Sequence, residues 1–475
     1  MKRHANVILA AAMAAVLAGC TLAPRYERPV APVPAGWSDP AMAAGAQTAL
    51  AGSIDWHAFV QDPELRRLIG TGLGQNRDLR RTLLDVEAAR ATYRVERSRL
   101  LPEISAQGQG TRQRMPAGLS TTGADGVQEQ YQAGAALSSF ELDLFGRVRS
   151  MSQSALQEYL ATEEAARAAR VLLIDNIARA YLSHHAAGRK MAVVTEVLET
   201  RGTALKLVQL RADQGLATDI ELNEATGLSA QAEVELRRAT REVAQTRNAL
   251  HLLVGTTELV LPSAPSEFDD TFTDIKAGLP SEMILRRPDI IAAEHRLRAR
   301  NADIGAARAA FFPSINLTGL FGSASTELSG LFESGSRAWT FSPVVNIPLF
   351  AGGRNRANLD LANVRKEQAV AAYEYAVQTA FFEVSDSLVA VDTLRQQEQS
   401  QQRLADSSEA AAGLAKQRYD AGVDGQLAYL DADRRALTDK LELIDVNLQA
   451  NLARSALFRA LGGGWSEPAP ATASN

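Results

Sequence analysis

Cys20 is the only cysteine in the 475 residues, so a disulfide within the chain is impossible. It closes a segment in which Lys2, Arg3 and His4 form a basic start and residues 6–18 are nearly all small and apolar, ending Leu17-Ala18-Gly19-Cys20. That is the pattern of a secretory signal, and the apolar stretch is too short for a spanning helix. A lone cysteine at such a cleavage point resembles a bacterial lipobox. Residues 1–19 are then a removable signal peptide, and Cys20 carries covalent lipid as the first residue of the mature protein. No other bound group is expected. Thr21, where Asp would retain the protein, implies export onward to the outer membrane.

Leu427, Asp431 and Arg434 form the second set, with spacings of i, i+4 and i+7 that place them on one face of a helix. By themselves Asp431 and Arg434 would be an ordinary solvated pair. His184 and His185 are adjacent, so on a helix they face different sides and read as packed or solvated, not as ligands. No nucleophile elbow, phosphate loop or metal-ligand spacing occurs, which argues against an enzyme and a metal site. The net charge of −5 argues against nucleic-acid binding.

These residues sit in a duplicated chain. Leu101-Pro102-Glu103-Ile104 recurs as Phe312-Pro313-Ser314-Ile315, and Leu144-Phe145-Gly146-Arg147 recurs, with a small insertion, as Leu349-Phe350-Ala351-Gly352-Gly353-Arg354. Arg211 to Gly215 recurs as Arg418 to Gly422, and Leu253-Val254-Gly255 as Ala460-Leu461-Gly462, all about 205 to 211 residues apart and in the same order. The organisation predicted is a tether at 20–60 rich in proline, a first repeat at 61–260, an equatorial linker at 261–287, a second repeat at 288–463 and a tail at 464–475.

Each repeat reads as helix, two strands, long helix, short turn, helix. Residues 146–213 and 353–420 contain no proline and are dominated by strong helix formers. In the second, Val370, Tyr373, Val377, Phe381, Val384, Leu388 and Val391 form a seam spaced three and four apart, matched in the first by Ile174, Ile177 and Tyr181. About 67 residues at ~1.5 Å each give a helix of roughly 100 Å. Shorter helices at 76–100 with 218–254, and at 288–311 with 424–461, add up to nearly that length, so the expectation is an elongated helical body. Gly215 and Gly422 end the long helices, Thr218 and Glu221 form a capping box, and Asp424 is placed to cap the last helix.

Strands are expected at about 103–114, 129–142, 314–322 and 337–349. The clearest alternates Trp339, Phe341, Pro343, Val345, Ile347 and Leu349 on one face with smaller or polar residues on the other, as a lipid-facing barrel strand does. No later stretch is apolar enough for a spanning helix, so a mature chain that crosses a membrane must do so as a closed barrel. Four strands cannot close one, so copies must pool their strands.

With these pieces in place, the chain resembles the TolC-like outer-membrane factors of tripartite, RND-type efflux systems, in particular the NodT/OprM-type lipoproteins. The matching motifs are Asp62-Pro63-Glu64-Leu65, Phe140 to Arg147, Arg286-Arg287-Pro288-Asp289-Ile290, Ala309 to Pro313 and Ala460 to Trp465. The fold class implied is an α+β membrane protein: a homotrimer pooling twelve strands in a β-barrel continued by a long periplasmic α-helical barrel. The resemblance further implies a periplasmic adaptor docking at hairpin tips marked by Arg211, Gly215, Arg418 and Gly422, and an inner-membrane RND-type pump supplying energy. It makes Leu427, Asp431 and Arg434 the constriction that holds the periplasmic end shut. Ile220, Glu224 and Gly227 stand at the matching places of the first repeat, which lacks the arginine. A type I protein secretion duct and a coiled-coil lipoprotein scaffold are the alternatives. The pore face carries no repeated ring of one charge, so selection by size is expected, and the sequence does not choose among antibiotics, solvents, siderophores and peptides.

Overall fold

The computed structural model describes residues 21–34, 55–118, 125–261, 271–275 and 286–463. Cys20, the signal segment and the 464–475 tail lie outside these. The elements are α1 (Trp56–Phe59), α2 (Pro63–Gln75), α3 (Arg77–Ser98), β1 (Ile104–Met115), β2 (Gly126–Leu142), α4 (Arg147–Asp213), α5 (Asp219–Val254), α6 (Pro288–Ala309), β3 (Ser314–Ser325), β4 (Arg337–Asn346), α7 (Arg354–Asp420) and α8 (Gln426–Ala460). The chain divides into two compact units, Met1–Val30 with Asp85–Glu163 and Ala292–Glu374, and Ala31–Leu84 with Glu164–Ile291 and Tyr375–Asn475. Each draws on both sequence repeats.

The first unit holds the sheet, four antiparallel strands in the order β1-β2-β3-β4. Strands β1 and β4 are its edges. β4 stops at Asn346, short of the expected 349, so Ile347 and Leu349 lie beyond it. Pro348, which has no N–H to give a ladder, accounts for the early end. β2 carries a bulge between Leu137 and Phe140, with Ser139 at φ 42°.

The second unit is helical. Its core gathers Leu65, Leu68 and Ile69 of α2, Ile174, Ile177 and Leu182 of α4, Leu250 and Val254 of α5, and Phe458 of α8. Phe59 stacks between Phe272 at 4.7 Å and Phe458 at 4.3 Å, which ties residues of the linker to the helices. The Asp-Pro-Glu-Leu motif is the start of α2. Asp62 accepts from the N–H groups of Glu64 and Leu65, Pro63 occupies the first turn, and the Tyr181 hydroxyl donates to Asp62 at 2.7 Å. The helix expected from 76 is present as α3, but it is preceded by α2, which was not expected as a separate helix. Asn76 separates α2 from α3, accepting from Leu79 N–H and donating to the Leu253 carbonyl, both at 2.8 Å.

Both long helices have 67 residues, as the absence of proline required. In α7, Tyr373, Val377 and Ala380 are fully buried and Val384 is 2 % exposed, so the seam faces inward. Both long helices end in the same motif. Leu216 N–H reaches the Arg211 carbonyl and Gly215 N–H that of Ala212, while Val423 and Gly422 repeat the pattern onto Arg418 and Tyr419. Gly215 (φ 73°) and Gly422 (φ 71°) occupy the left-handed position this motif requires.

Candidate functional site

The sheet has two chemically distinct faces. The register places Ile104, Ala106, Leu317, Phe321, Trp339 and Phe341 on one of them. Trp339 is 72 % exposed and Phe321 63 %, an apolar surface that nothing in the single chain covers. The opposite face carries Gln107, Gln109, Gln132, Thr318, Thr340 and Ser342 around a shallow cavity, with Gln132 donating to Gln109 at 3.2 Å. Among the described strand residues of that face the one ionisable group is Glu141, at the foot of β2, bound by Arg147 Nε at 2.8 Å. Charged pairs gather at the opposite end of the sheet, Arg112 with Glu129 and Arg114 with Asp125, each at 2.8 Å.

At the start of α8, the Asp431 carboxylate takes Arg434 at 2.7 Å and also Arg435 at 2.5 Å. Arg435 was not singled out by the spacing argument, which asked for one face of the helix and not for every cation within reach of the carboxylate. Leu427 is 69 % exposed beside the tip. Asp433 turns into the helical packing, where the buried Arg201 of α4 binds it at 3.0 Å and also donates to the Leu228 carbonyl of α5 at 3.2 Å. That cross-tie anchors the first turns of α8, so the Asp431 cluster rides on a fixed base.

The two tips are closed differently. In the first, Thr218 and Glu221 form the expected capping box, and Arg211 donates to the Leu216 carbonyl at 3.4 Å. In the second, Asp424 does not cap α8. The cap position is Gly425, with no side-chain bond, because the Asp424 carboxylate is taken by Arg418 at 2.5 and 2.9 Å. That bond holds Asp424 below the ordinary carboxylate range. Arg211 and Arg418 thus close the turns, and what the tips present outward is Leu216 and Val423, 64 % and 62 % exposed. They fill the same position of the same motif in the two repeats, a signal available in the sequence once the tip glycines are aligned.

The segment after the cysteine, expected from its prolines to be an extended, semi-rigid tether, is pinned over residues 22–28. It runs antiparallel along one face of α6. Arg308 donates to the Leu22 carbonyl at 3.2 Å and Asn301 to that of Pro24 at 2.7 Å. Arg298 lies 4.9 Å from the centre of the Tyr26 ring, and Glu294 accepts from Tyr26 at 3.1 Å and from Arg28 at 2.8 Å. Gly305 gives the closest approach, since a Cβ there would stand 2.8 Å from Ala23 N. The contacts step back along α6 by three and four residues, one helical face. Burial pushes Glu294 up, but hydrogen bonds from Arg28 and Arg298 outweigh it and hold the carboxyl below its usual range. A lowered folded-state value means the strap's stabilisation is complete above the unfolded pKa of about 4.3 and is lost only as pH falls through the lower folded value. Protection of residues 21–34 from proteolysis is therefore expected to be flat from about pH 7 to 5 and to fail below about 4. In Glu294→Gln it should already be weakened at pH 7, and equal protection in that variant at every pH would refute the assignment.

His185 is 2 % exposed and packs edge-on against Tyr181, while His184 shares a hydrogen bond with Thr246 at 3.0 Å. Burial and the neighbouring His184 push His185 down to about 4, so both histidines act as packed side chains. Among the described residues no group of His, Cys, Asp and Glu is arranged to hold a metal ion. No described helix is long and apolar enough to cross a membrane.

The outer membrane efflux protein family matches residues 68–256 and 279–463. The chain is 51 % identical to outer membrane protein OprJ of Pseudomonas aeruginosa over 98 % of both chains. It is 45 % identical, over the full length of both, to the toluene efflux pump outer membrane protein TtgF of Pseudomonas putida. Among solved structures it is similar to the open state of the Neisseria gonorrhoeae MtrE outer membrane channel, with a TM-score of 0.82 and 36 % identity over 94 % of this chain and 98 % of that one. Sequence motif, sheet and helical repeats converge on one assignment: the chain belongs to the outer membrane efflux protein family.

Proposed function

We propose that the protein is the outer-membrane duct of a tripartite efflux pump, a homotrimer whose pooled strands form a twelve-stranded barrel. The observation that carries this is the sheet itself. It has two open edges, an apolar face rich in exposed aromatics, and an opposite face of Gln, Thr and Ser. A membrane tolerates such a sheet only when its edges are paired into a closed ring. The apolar face then meets lipid and the polar face, among its described residues charged only at Glu141 near its foot, lines the pore, which filters by size more than by charge. Purified protein in planar bilayers should conduct, with weak discrimination between cations and anions. A coiled-coil scaffold would conduct nothing. A deletion strain should become more susceptible to toxic small molecules, and indifference to all of them would favour the secretion-duct alternative.

Energy comes from an inner-membrane RND-type pump through a periplasmic adaptor. The tips that Arg211, Gly215, Arg418 and Gly422 shape present Leu216 and Val423 as the adaptor's anchors. Buried anchors of this kind contribute roughly 1–2 kcal/mol each, about tenfold in affinity. Leu216→Ser with Val423→Ser should therefore abolish efflux in cells while leaving oligomer and conductance intact; retained efflux would count against tip docking. Leu427, Asp431 and Arg434 form the periplasmic gate.

Cys20 carries lipid, and Leu22, two residues on, is held at the end of α6 that leads into β3. Labelling with radioactive palmitate should vanish in Cys20→Ser. Persistent label in that variant would sink the assignment. The channel should survive this change, since the barrel holds the membrane independently.

A further inference from the structure

The chain contains its own template for the seam between copies. The sequence repeat equates β1 with β3 and β2 with β4, so the junction of β2 with β3 inside one chain corresponds to a junction of β4 with β1 of the next. The internal junction is fully described. At its foot Leu142 stands opposite Ile315 and Phe140 opposite Leu317. Just below, Phe145, in the turn into α4, stacks on Phe312, in the turn out of α6, at 4.7 Å between ring centres.

Resting on the closed-barrel reading above, we propose that the foot of β4 pairs antiparallel with the foot of the partner's β1, Val345 opposite the partner's Ala106 and Ile347 opposite the partner's Ile104. Phe350 then packs on the partner's Leu101. The positions follow from the repeat offsets. Adding 205 carries Phe140, Leu142 and Phe145 to Val345, Ile347 and Phe350. Subtracting 211 carries Leu317, Ile315 and Phe312 to Ala106, Ile104 and Leu101.

Three observations support this register. The residues it joins are bare in the single chain, Phe350 at 91 %, Leu101 and Ile104 at 71 %, Ile347 at 57 % and Val345 at 56 %, and an apolar pair at the internal junction is already in contact. The strand directions also fit. Successive strands alternate, so β4 runs toward the end at which β1 begins, as an antiparallel seam requires. The faces agree as well. Ala106 pairs with Ala135, Ala135 with Phe321 and Phe321 with Trp339, so Ala106 shares the apolar face with Trp339 and hence with Val345, six residues on. Directly opposite residues must share a face, and a slip by one residue would put apolar side chains into the polar lumen. The register is transferred for the foot alone, because β2 bulges above it at Ser138 and Ser139 and β4 does not.

Cysteine pairs test it, with Cys20 as the only native cysteine to control. In outer membranes containing the full-length protein, Val345→Cys combined with Ala106→Cys should convert under mild oxidation into covalent dimers and a closed trimer. Each single variant should stay uncrosslinked, as should Val345→Cys with Gln107→Cys, whose side chains face opposite sides. Preferential linking of the 107 pair, or no linking in either while native mass spectrometry still shows trimers, would overturn the register and leave the barrel standing. A wild-type protein that is monomeric in that spectrum would overturn both. Phe350→Ser should lower the share of trimer resisting SDS and Phe350→Leu should restore it; an unchanged share in Phe350→Ser would remove the Leu101 contact.

Discussion

Arg287→Ala is expected to destabilise the helical unit by about 3 kcal/mol, among the largest losses from any single side chain. The guanidinium is 9 % exposed and serves three elements at once. It donates to Asp289 at 3.0 and 2.7 Å, to Glu383 of α7 at 2.7 Å, and to the Ala460 carbonyl at 2.8 Å. Ala460 ends α8, so the last contact satisfies a carbonyl that the helix leaves unpaired and sets a positive charge at the negative end of its dipole. Burial opposes that charge, but Asp289 and Glu383 outweigh it and keep the group protonated. Both carboxylates retain access to water, which limits the loss when the arginine is removed. Arg287→Lys should recover little, because one ammonium cannot reach two carboxylates and a carbonyl in three directions. Urea midpoints of the three proteins decide this. An alanine variant within about 0.5 kcal/mol of the parent, or a fully restored lysine variant, would show that the cluster is not what joins α6, α7 and α8.

The Arg287 cluster also marks where sequence reading ran out. The Arg-Arg-Pro-Asp-Ile run was visible as a motif, and a local pair with Asp289 could be guessed. Glu383 and Ala460 lie 96 and 173 residues away, and nothing periodic links them. The same holds for Asp175 and Ser455, buried together 280 residues apart at 2.6 Å. What was legible came from local rules that repeat along the chain. The long helices followed from the absence of proline, their ends from Gly215 and Gly422, the strands from alternation, and the inward seam from its spacing. The errors fell where a tertiary partner overrode a local preference. Asp424 is a good capping residue, but Arg418 competes for its carboxylate. Pro-rich residues after Cys20 favour an extended spacer, and they are extended, but α6 supplies donors at matching intervals and binds them.

The duplication makes such overrides informative, because one repeat serves as a control for the other. The first tip is closed through a capping box, in which the Glu221 carboxylate meets only neutral donors of Thr218, and the second through an ion pair, although the glycine motif is common to both. The first repeat places Ile220, Glu224 and Gly227 where the second has Leu427, Asp431 and Arg434, so only the second offers a carboxylate with cations on its own helix at those positions. Two halves with the same backbone and different charge at the mouth are not expected to contribute equally to closing it.

Opening of the resting channel is accordingly expected to follow Asp431 more closely than Arg434. The carboxylate binds two cations, so Arg434→Ala leaves Arg435 in place at 2.5 Å, whereas Asp431→Ala frees both. In one chain these bonds are exposed and worth only tenths of a kcal/mol each. Around the threefold axis of the proposed trimer the same groups would be repeated within a narrow ring, where three carboxylates would attract cations and the arginines could tie neighbouring helices through charge-assisted hydrogen bonds. Single-channel conductance in planar bilayers should therefore rise modestly in Arg434→Ala, several-fold in Asp431→Ala, and most in the double variant, with trimers intact by native electrophoresis. High salt should narrow the difference from the parent, because screening weakens the parent's own gate. Leu427→Ala should add to the opening at any ionic strength, since its contribution is steric. Conductance unchanged in Asp431→Ala with Arg434→Ala, in protein that is still trimeric, would reduce the cluster to surface ion pairs and place the constriction elsewhere on the helical barrel.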